Sequence, residues 1–339
     1  MHTNNSYQAI TCTVDEMSLL EALLDAGNQF VSGHMLAKLT GISQSTISNK
    51  LEKLRTEDFD IEAVIDRGYR LTEKPEILHP ALLGCYLKKA AMELDVLHFP
   101  VLDSTNSEAE RQYLNGRKSP FVITSGFQTQ GRGRLGRAWH SASAKNLYLS
   151  VHFEPKISPS ELQSFTLWVG ICICRILQKN IPGVPLRIKW PNDLYCGGRK
   201  FAGMLTEAKM DSGNLRSIIF GIGINVNSNP LDYPDGLSSS ATSLYAISGE
   251  ELSLNLLTVQ VLQAIKQAYD ICICDETPES LTEAWAPLDA LSGKTITILQ
   301  SGKELSGVVQ GIDASGALLL LLPDQTIRSI RAGEVTVKK

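Results

Sequence analysis

The sequence predicts an α+β chain in three units: a winged helix-turn-helix over residues 1–75, a mixed-sheet α/β domain over 76–288, and a small β-barrel over 289–339. Three observations carry that division. Short capped helices meet at a glycine-containing turn and are followed by a hairpin. The middle of the chain mixes apolar strands and helices without regular βαβ alternation. From Gly293 onward, five short apolar or alternating runs are separated by Ser-Gly, Ala-Ser-Gly and Pro-Asp turns.

Composition sets the outer limits. At 339 residues, with 43% hydrophobic and 20% charged side chains, the balance is that of an ordinary soluble globular protein. A chain of this length has room for a sizeable core. The formal net charge of −4 argues against coating nucleic acid through bulk electrostatics, and leaves room for a local basic face. No apolar segment follows a basic start, and the longest aliphatic run, Ala317 to Leu322, is far too short for a bilayer. A cytoplasmic chain with no membrane partner is expected. The seven cysteines include two Cys-Ile-Cys pairs, Cys172/Cys174 and Cys272/Cys274, inside apolar helical stretches. Residues two apart on a helix do not share a face. The thiols therefore read as small core hydrophobes in a reducing compartment. The six histidines are scattered, and no metal site is expected.

The first unit builds in order. Leu19, Leu20, Leu23 and Leu24 recur at helical spacing within Glu16 to Leu24, and Ala26-Gly27-Asn28 breaks the run. Ser32 reads as the N-cap of a second helix with Leu36 and Leu39 on its apolar side, ended by Gly41. Ser43 caps a third, Gln44 to Arg55, with Ile47, Leu51 and Leu54 inward. Phe59, Ile61 and Ala63 alternate with polar residues, Asp66-Arg67-Gly68 turns, and Tyr69-Arg70-Leu71 returns as the wing. The open face of the third helix offers Gln44, Ser45, Thr46, Ser48, Asn49, Lys50 and Lys53 to DNA base edges. Arg67 and Arg70 on the wing can reach phosphates. Residues 1–75 carry seven Lys/Arg against eleven Asp/Glu, a poor global footprint for a phosphate binder. A protein-interaction module of three helices is the competing reading.

In the second unit an amphipathic helix (Leu82, Leu83, Tyr86, Leu87) precedes a strand, Val96 to Leu102, and then Asp103-Ser104-Thr105-Asn106. Ser or Asp after a strand caps a helix, and helix N-termini also receive anionic or carbonyl groups. A second strand around Phe121 to Ile123 runs into Gln128 and the stretch Gly131 to Trp139, GRGRLGRAW. Glycine permits close backbone approach to a ligand, and arginine offers a planar fork of donors that matches carboxylate and phosphate. A loop with both is built to hold an anion, and Trp139 adds a flat face. Further on, the strand Arg187-Ile188-Lys189 stops at Pro191 and turns on Asn192-Asp193. A lysine ending a buried strand is costly unless it meets an anion. Lys200 to Lys209 and Ser217 to Asn227 read as two more strands, the second holding Gly221 and Gly223 and delivering Asn225. Glycine inside a strand marks close approach of a ligand or of other backbone.

Five marks in order, SGxxLA in the first unit, DSTN at Asp103–Asn106, QGRGRLGRAW at Gln130–Trp139, KWPND at Lys189–Asp193 and GIGINVN at Gly221–Asn227, resemble the biotin–protein ligases. Within that family the chain resembles the bifunctional bacterial form that also represses the biotin operon, from about Val14 to Lys339. The resemblance implies a central domain of the biotin/lipoate ligase type and an SH3-like fold for the last unit. It implies joining biotin to ATP as biotinyl-5′-adenylate, then passing biotin to a lysine of a biotin carboxyl carrier protein, an acetyl-CoA carboxylase subunit. Catalytic roles fall by resemblance to Lys189, Arg134 and Arg132. Biotin contacts fall to Ser104, Thr105, Asn106, Gln128, Gly131, Arg132, Lys189, Gly221 and Gly223. Nucleotide contacts fall to Arg134, Arg137, Trp139, Lys189 and Asn225. Magnesium would arrive on the ATP, and the glycine-rich segment would be flexible and order over the adenylate. A homodimer on operator DNA is implied when adenylate is bound. The recognition helix, STISNKL, lacks the aromatic and basic residues that many of the family carry, so no operator sequence follows. Lipoate and octanoyl transferases share the scaffold, but GRGRLGR with KWPND and a winged helix favours biotin.

Overall fold

The computed structural model describes residues 7–10, 12–141, 143–212, 214–273, 279–300, 303–331 and 333–337; Cys274 lies outside them. The N-terminal module holds α1 (Val14–Ala26), α2 (Gly33–Thr40) and α3 (Gln44–Thr56), then a hairpin of β1 (Asp60–Val64) and β2 (Gly68–Glu73). Ser32 and Ser43 cap α2 and α3 as expected. The first helix starts earlier than its leucine spacing suggests, because Thr13 and Glu16 form a reciprocal capping box.

This module does not close its own core. Leu20, Leu23, Leu51 and Phe59 pack with Ala81, Leu82 and Cys85 of the next helix, α4 (Pro80–Lys89). The other side of α4, Leu83 and Leu87, belongs to the central core. One helix therefore serves two cores, and the ion pairs Lys88–Glu21 and Lys89–Asp25, both 2.6 Å, tie α1 to it at the rim.

The central domain is built on a seven-stranded sheet ordered β3-β4-β5-β9-β8-β7-β6. Its strands are β3 (Asp95–Leu102), β4 (Phe121–Gln128), β5 (Leu147–Phe153), β6 (Arg187–Lys189), β7 (Asp193–Cys196), β8 (Arg199–Asp211) and β9 (Asn214–Ile224). Only the β3–β4 pair is parallel, so the sheet is mixed. Alternation gives it two different faces. One carries Val122, Leu149, Phe220 and Ile222 and is covered by α6 (Leu162–Asn180) and α8 (Leu254–Ile273). Helix α6 is long and apolar enough to cross a membrane, yet it lies in the core with Cys172 and Cys174 buried. Burial also pushes both thiols up, to about 11 and 12, which suits packing rather than reactivity.

The opposite face carries α5 (Thr105–Leu114) at one end and the candidate site in its middle. Two short helices, α7 (Leu244–Ser248) and α9 (Leu281–Trp285), complete the domain. The C-terminal unit is an antiparallel sheet ordered β13-β12-β11-β10-β14, from β10 (Thr295–Gln300), β11 (Lys303–Ile312), β12 (Leu318–Leu321), β13 (Ile327–Ile330) and β14 (Glu334–Val337). These are the five expected strands. Among the described residues no ladder joins β13 to β14, so closure of the barrel is not seen.

Candidate functional site

The floor of the site follows from register. Gly203 on β8 pairs with Gly223 on β9, and Leu205 pairs with Gly221. Directly opposed residues share a face, so three glycines clear one patch of the sheet. That patch is not bare. A Cβ on Gly221 would stand 2.0 Å from Asn106 Oδ1, and one on Gly223 would stand 2.5 Å from the Trp139 indole. The glycines are thus required for two site side chains to press onto the strands, where the sequence suggested a ligand or other backbone.

Above the floor, the DSTN turn and Gln128 form one hydrogen-bonded group. Ser104 sits at the N-cap of α5, but its side chain makes no capping bond. Gln128 Oε1 accepts from the Thr105 amide at 2.8 Å, and Gln128 Nε2 donates to Ser141 Oγ at 2.9 Å. Ser150 Oγ donates to Asn106 Oδ1 at 2.6 Å and lies 2.8 Å from Thr105 Oγ1. Asp103 anchors the turn through Arg111 at 2.7 and 2.8 Å. Burial pushes the Asp103 carboxyl up, and Arg111 with the Ser104 amide more than offsets this and holds it low.

The glycine-arginine loop is folded as a tight hairpin. Arg132 bridges Ala138, the Trp139 amide donates to Gly131 O at 2.8 Å, and the Gly133 amide donates to Arg137 O at 2.7 Å. Its tip carries Leu135 at φ 56°, a left-handed conformation that costs an ordinary residue roughly 1–2 kcal/mol. Arg134 Nη1 donates to Asn192 Oδ1 at 3.2 Å, and Asn192 Nδ2 donates in turn to Met204 O at 2.5 Å. Arg132 Nη2 reaches Glu207 Oε2 at 2.6 Å.

The electrostatics are those of a crowded cationic site around one carboxylate. Lys200 pairs with Asp193 at 2.7 Å and lies 5.0 Å from the Trp139 ring. Burial pushes the Lys189 ammonium below its ordinary value; Asp193 opposes this, while Lys200, Arg137 and Lys294 add to it. Burial also lowers Arg134, against the pull of Asp193, although a guanidinium remains charged. Such a cluster favours a polyanion that can bring more negative charge than Asp193 supplies.

Two adjoining clefts result. The first is narrow and is lined by Ser104, Thr105, Asn106, Gln128, Arg132, Arg134, Trp139, Gly221 and Gly223. The second, about 1510 Å³ and open to solvent, is lined by Gln128, Gly131, Trp139, Tyr195, Asn225 and Tyr233. Trp139 is the wall between them, and its buried indole N–H has no partner among the described residues. Lys189 and Arg137 line neither cleft; Lys189 stands beside Tyr195, 5.5 Å above its ring. Asn192, Lys200, Gly203, Ser150 and Glu207 belong to the arrangement and were missed by the sequence reading. Period-two alternation along β8 places Gly203 and Glu207 on one face, which was the available signal.

The candidate DNA-reading face of the N-terminal module is only partly exposed. Gln44, Ser45, Ser48, Asn49 and Arg67 are exposed. Thr46 is half-buried against Ser43, at 2.8 Å between their hydroxyls. Lys50 turns inward, and Lys53, although exposed, is tied to α1. Lys53 reaches Glu16 at 2.8 Å, and Lys50 lies 3.1 Å from Thr13 Oγ1 and 3.7 Å from Glu16. Arg70 pairs with Glu62, and both wing arginines stack on Phe30 at 4.1 and 4.5 Å.

Known proteins match this layout unit by unit. Residues 16–70 match the HTH domain family, 98–225 the biotin/lipoate A/B protein ligase family, and 291–338 the biotin protein ligase C terminal domain. The bifunctional ligase/repressor BirA of Bacillus subtilis is 32% identical over 89% of this chain and 92% of its own. That of Escherichia coli is 31% identical over 94% and 96%. Among solved structures, the biotin protein ligase of Aquifex aeolicus in complex with biotin and ATP superposes with a TM-score of 0.61 at 27% identity, covering 72% of this chain and 99% of that one. Winged module, glycine-floored cleft and C-terminal sheet agree with sequence likeness over nearly the whole length, and the chain belongs to the bifunctional biotin protein ligase/repressor family.

Proposed function

We propose that this enzyme activates biotin with ATP and transfers it to a lysine of a biotin carboxyl carrier protein, through a biotinyl-5′-adenylate held across the two clefts. The single observation that supports this most is the junction at Trp139. On one side lies a small cleft of neutral donors and acceptors, Ser104, Thr105, Asn106 and Gln128, suited to a ureido ring. On the other lies a larger cleft with Asn225 and an indole face, suited to adenine. Cations stand nearby.

In the first step a biotin carboxylate oxygen bonds to the α-phosphorus and the bond to pyrophosphate breaks. Two anions must approach, and charge grows on the phosphoryl oxygens. Arg132, Arg134 and Lys189 supply fixed positive charge for that transition state, and Arg137 adds to the field. Magnesium enters as part of the ATP substrate. In the second step the acceptor lysine's neutral amine attacks the biotinyl carbonyl, and AMP leaves with the bonding electron pair. Trp139 and the loop hairpin exclude water from the mixed anhydride meanwhile.

The work divides among residues 1–75, 76–288 and 289–339, with α4 shared between the first two. The C-terminal unit is tied behind the phosphate site: Trp190 Nε1 donates to Gly316 O at 3.0 Å, and the Ala290 amide donates to Ile188 O at 2.9 Å. With adenylate bound, a homodimer would set two winged modules on two half-sites of operator DNA, read through Gln44, Ser45, Ser48 and Asn49. The deciding experiment is pyrophosphate release from Mg-ATP with biotin, with lipoate, or with neither. Release with biotin alone is expected. Release with lipoate alone would change the substrate, and no release with either acid would leave a regulator without this chemistry.

A further inference from the structure

Glu207 links the two halves of the small cleft through one atom. Its Oε2 accepts from Asn106 Nδ2 at 2.7 Å and from Arg132 Nη2 at 2.6 Å. Asn106 is the residue pressed onto Gly221, and Arg132 opens the anion-holding loop. Both members of the ion pair are partly open to solvent, at 40% and 37% exposure. Exposed pairs of this kind hold weakly. A single carboxylate can therefore be exchanged for an incoming carboxylate or phosphate that brings more charge and more acceptors.

We propose that Glu207 is a positioning residue, a counter-ion latch that holds Arg132 and the loop against β8 until the acid and ATP draw the arginine away. The latch rests on the proposed function for the identity of those anions, but its unliganded half does not. It makes loop seating and the state of Asn106 interdependent, since the same oxygen serves both. When Arg132 leaves, Glu207 keeps Asn106 alone, and the cleft wall stays in place while the loop is handed to the ligand.

The test uses the full chain as Glu207→Gln and Glu207→Ala. Glutamine keeps an acceptor for Asn106 and removes the charge that competes for Arg132. For Glu207→Gln the expected results are a two- to fivefold fall in KM for biotin, larger than any change in kcat, and a difference that fades in high salt. Without ligand, trypsin should cut the loop after its arginines severalfold faster than in the parent. Biotin with Mg-ATP should restore parent-like protection. Glu207→Ala should add a rise in KM from a released Asn106, which the Gln variant does not have. Unchanged trypsin rates with KM unchanged or raised in both variants would overturn the latch. Pyrophosphate release by the parent enzyme is run alongside; its absence would count against the proposed function, while the proteolysis still judges the latch.

Discussion

At the central clefts and beside them, Arg134, Lys189 and Lys200 crowd around the carboxylate of Asp193. On α3, by contrast, Lys50 and Lys53 converge on Glu16, with Asp15 and Glu57 within 3.9 and 3.6 Å. Arg134 and Lys189 were expected to meet phosphate, and Lys50 and Lys53 to meet DNA base edges. In the cleft, positive charge is concentrated beyond what the local carboxylate balances, and burial raises its cost until an anion arrives. On α3 the cost is already offset inside the fold, and the lysines serve to hold α3 against α1. Residue type alone does not separate these cases. Placement does: Arg134 on the loop and Lys189 and Lys200 on β6 and β8 gather around Asp193, whereas helical spacing carries Lys50 and Lys53 toward the start of α1 with its Asp15 and Glu16.

Lys189 is where that contrast can be broken most sharply. Lys189→Ala is expected to lower kcat/KM for pyrophosphate release by about 10²–10³-fold, the size seen when one preorganised charge is removed from a transition state. Circular dichroism should show an intact fold. A variant within threefold of the parent would remove Lys189 from the chemistry. Gly221→Ala comes next. Its methyl would force the Asn106 amide off Ser150 and Glu207, so KM for biotin should rise roughly tenfold, the loss of about 1.4 kcal/mol, with kcat less affected. If KM for ATP rose instead, the two clefts would be assigned the wrong way round.

Much of this was legible in the sequence where a residue type has one physical use. The capped helices, the hairpin turn, the glycine-arginine loop and the C-terminal strands were all marked by Ser, Gly and Pro at their ends. Glu207 and Lys200 were not, because their importance comes from partners far along the chain, Arg132 and Asp193 among them. Nor could the sequence say that α4 completes the winged module's core, since Leu82 and Leu83 look equally apolar and differ only in which neighbour they face. The pairing of Lys50 and Lys53 with Glu16 depends on the Thr13–Glu16 capping box, which fixes Glu16 at the start of α1.

That pairing makes a smaller prediction about DNA. In a plot of log binding constant against log salt for duplex DNA, the slope changes by about one unit for each phosphate that the protein ceases to neutralise. Arg67→Ala should flatten the slope by about 1, whereas Lys50→Ala should leave it unchanged, because that ammonium is already held by Thr13 and Glu16. Equal flattening by both variants would mean that Lys50 leaves Glu16 on binding, and would erase the contrast with the cleft.

Acid should separate the same two regions by pH. In the central domain burial pushes His98 and His152 down to about 4, so both are neutral in the fold. Unfolded histidine takes up its proton near pH 6.5. Their stabilising share is therefore complete above that value and is lost as the pH falls toward 4. In the N-terminal module burial alone would raise Glu16, but Lys53, the Thr13 amide and Lys50 more than offset it and hold it at about 2. Its share is complete above the ordinary glutamate range and is lost only as the pH falls from about 4.5 toward 2. All four tryptophans, Trp139, Trp168, Trp190 and Trp285, lie outside the N-terminal module, so their fluorescence reports the central domain. Its melting temperature should begin to fall below pH 6.5, by roughly 2–4 °C for each kcal/mol lost. Glu16→Gln should leave that curve unchanged above pH 4.5 while speeding amide hydrogen exchange in α1 and α3 at neutral pH, since the carboxylate that gathers Lys50 and Lys53 is gone. A tryptophan-detected midpoint flat from pH 7 to 4.5 would remove the histidines from the account, and the acid sensitivity of the molecule would then rest on carboxylates in both regions.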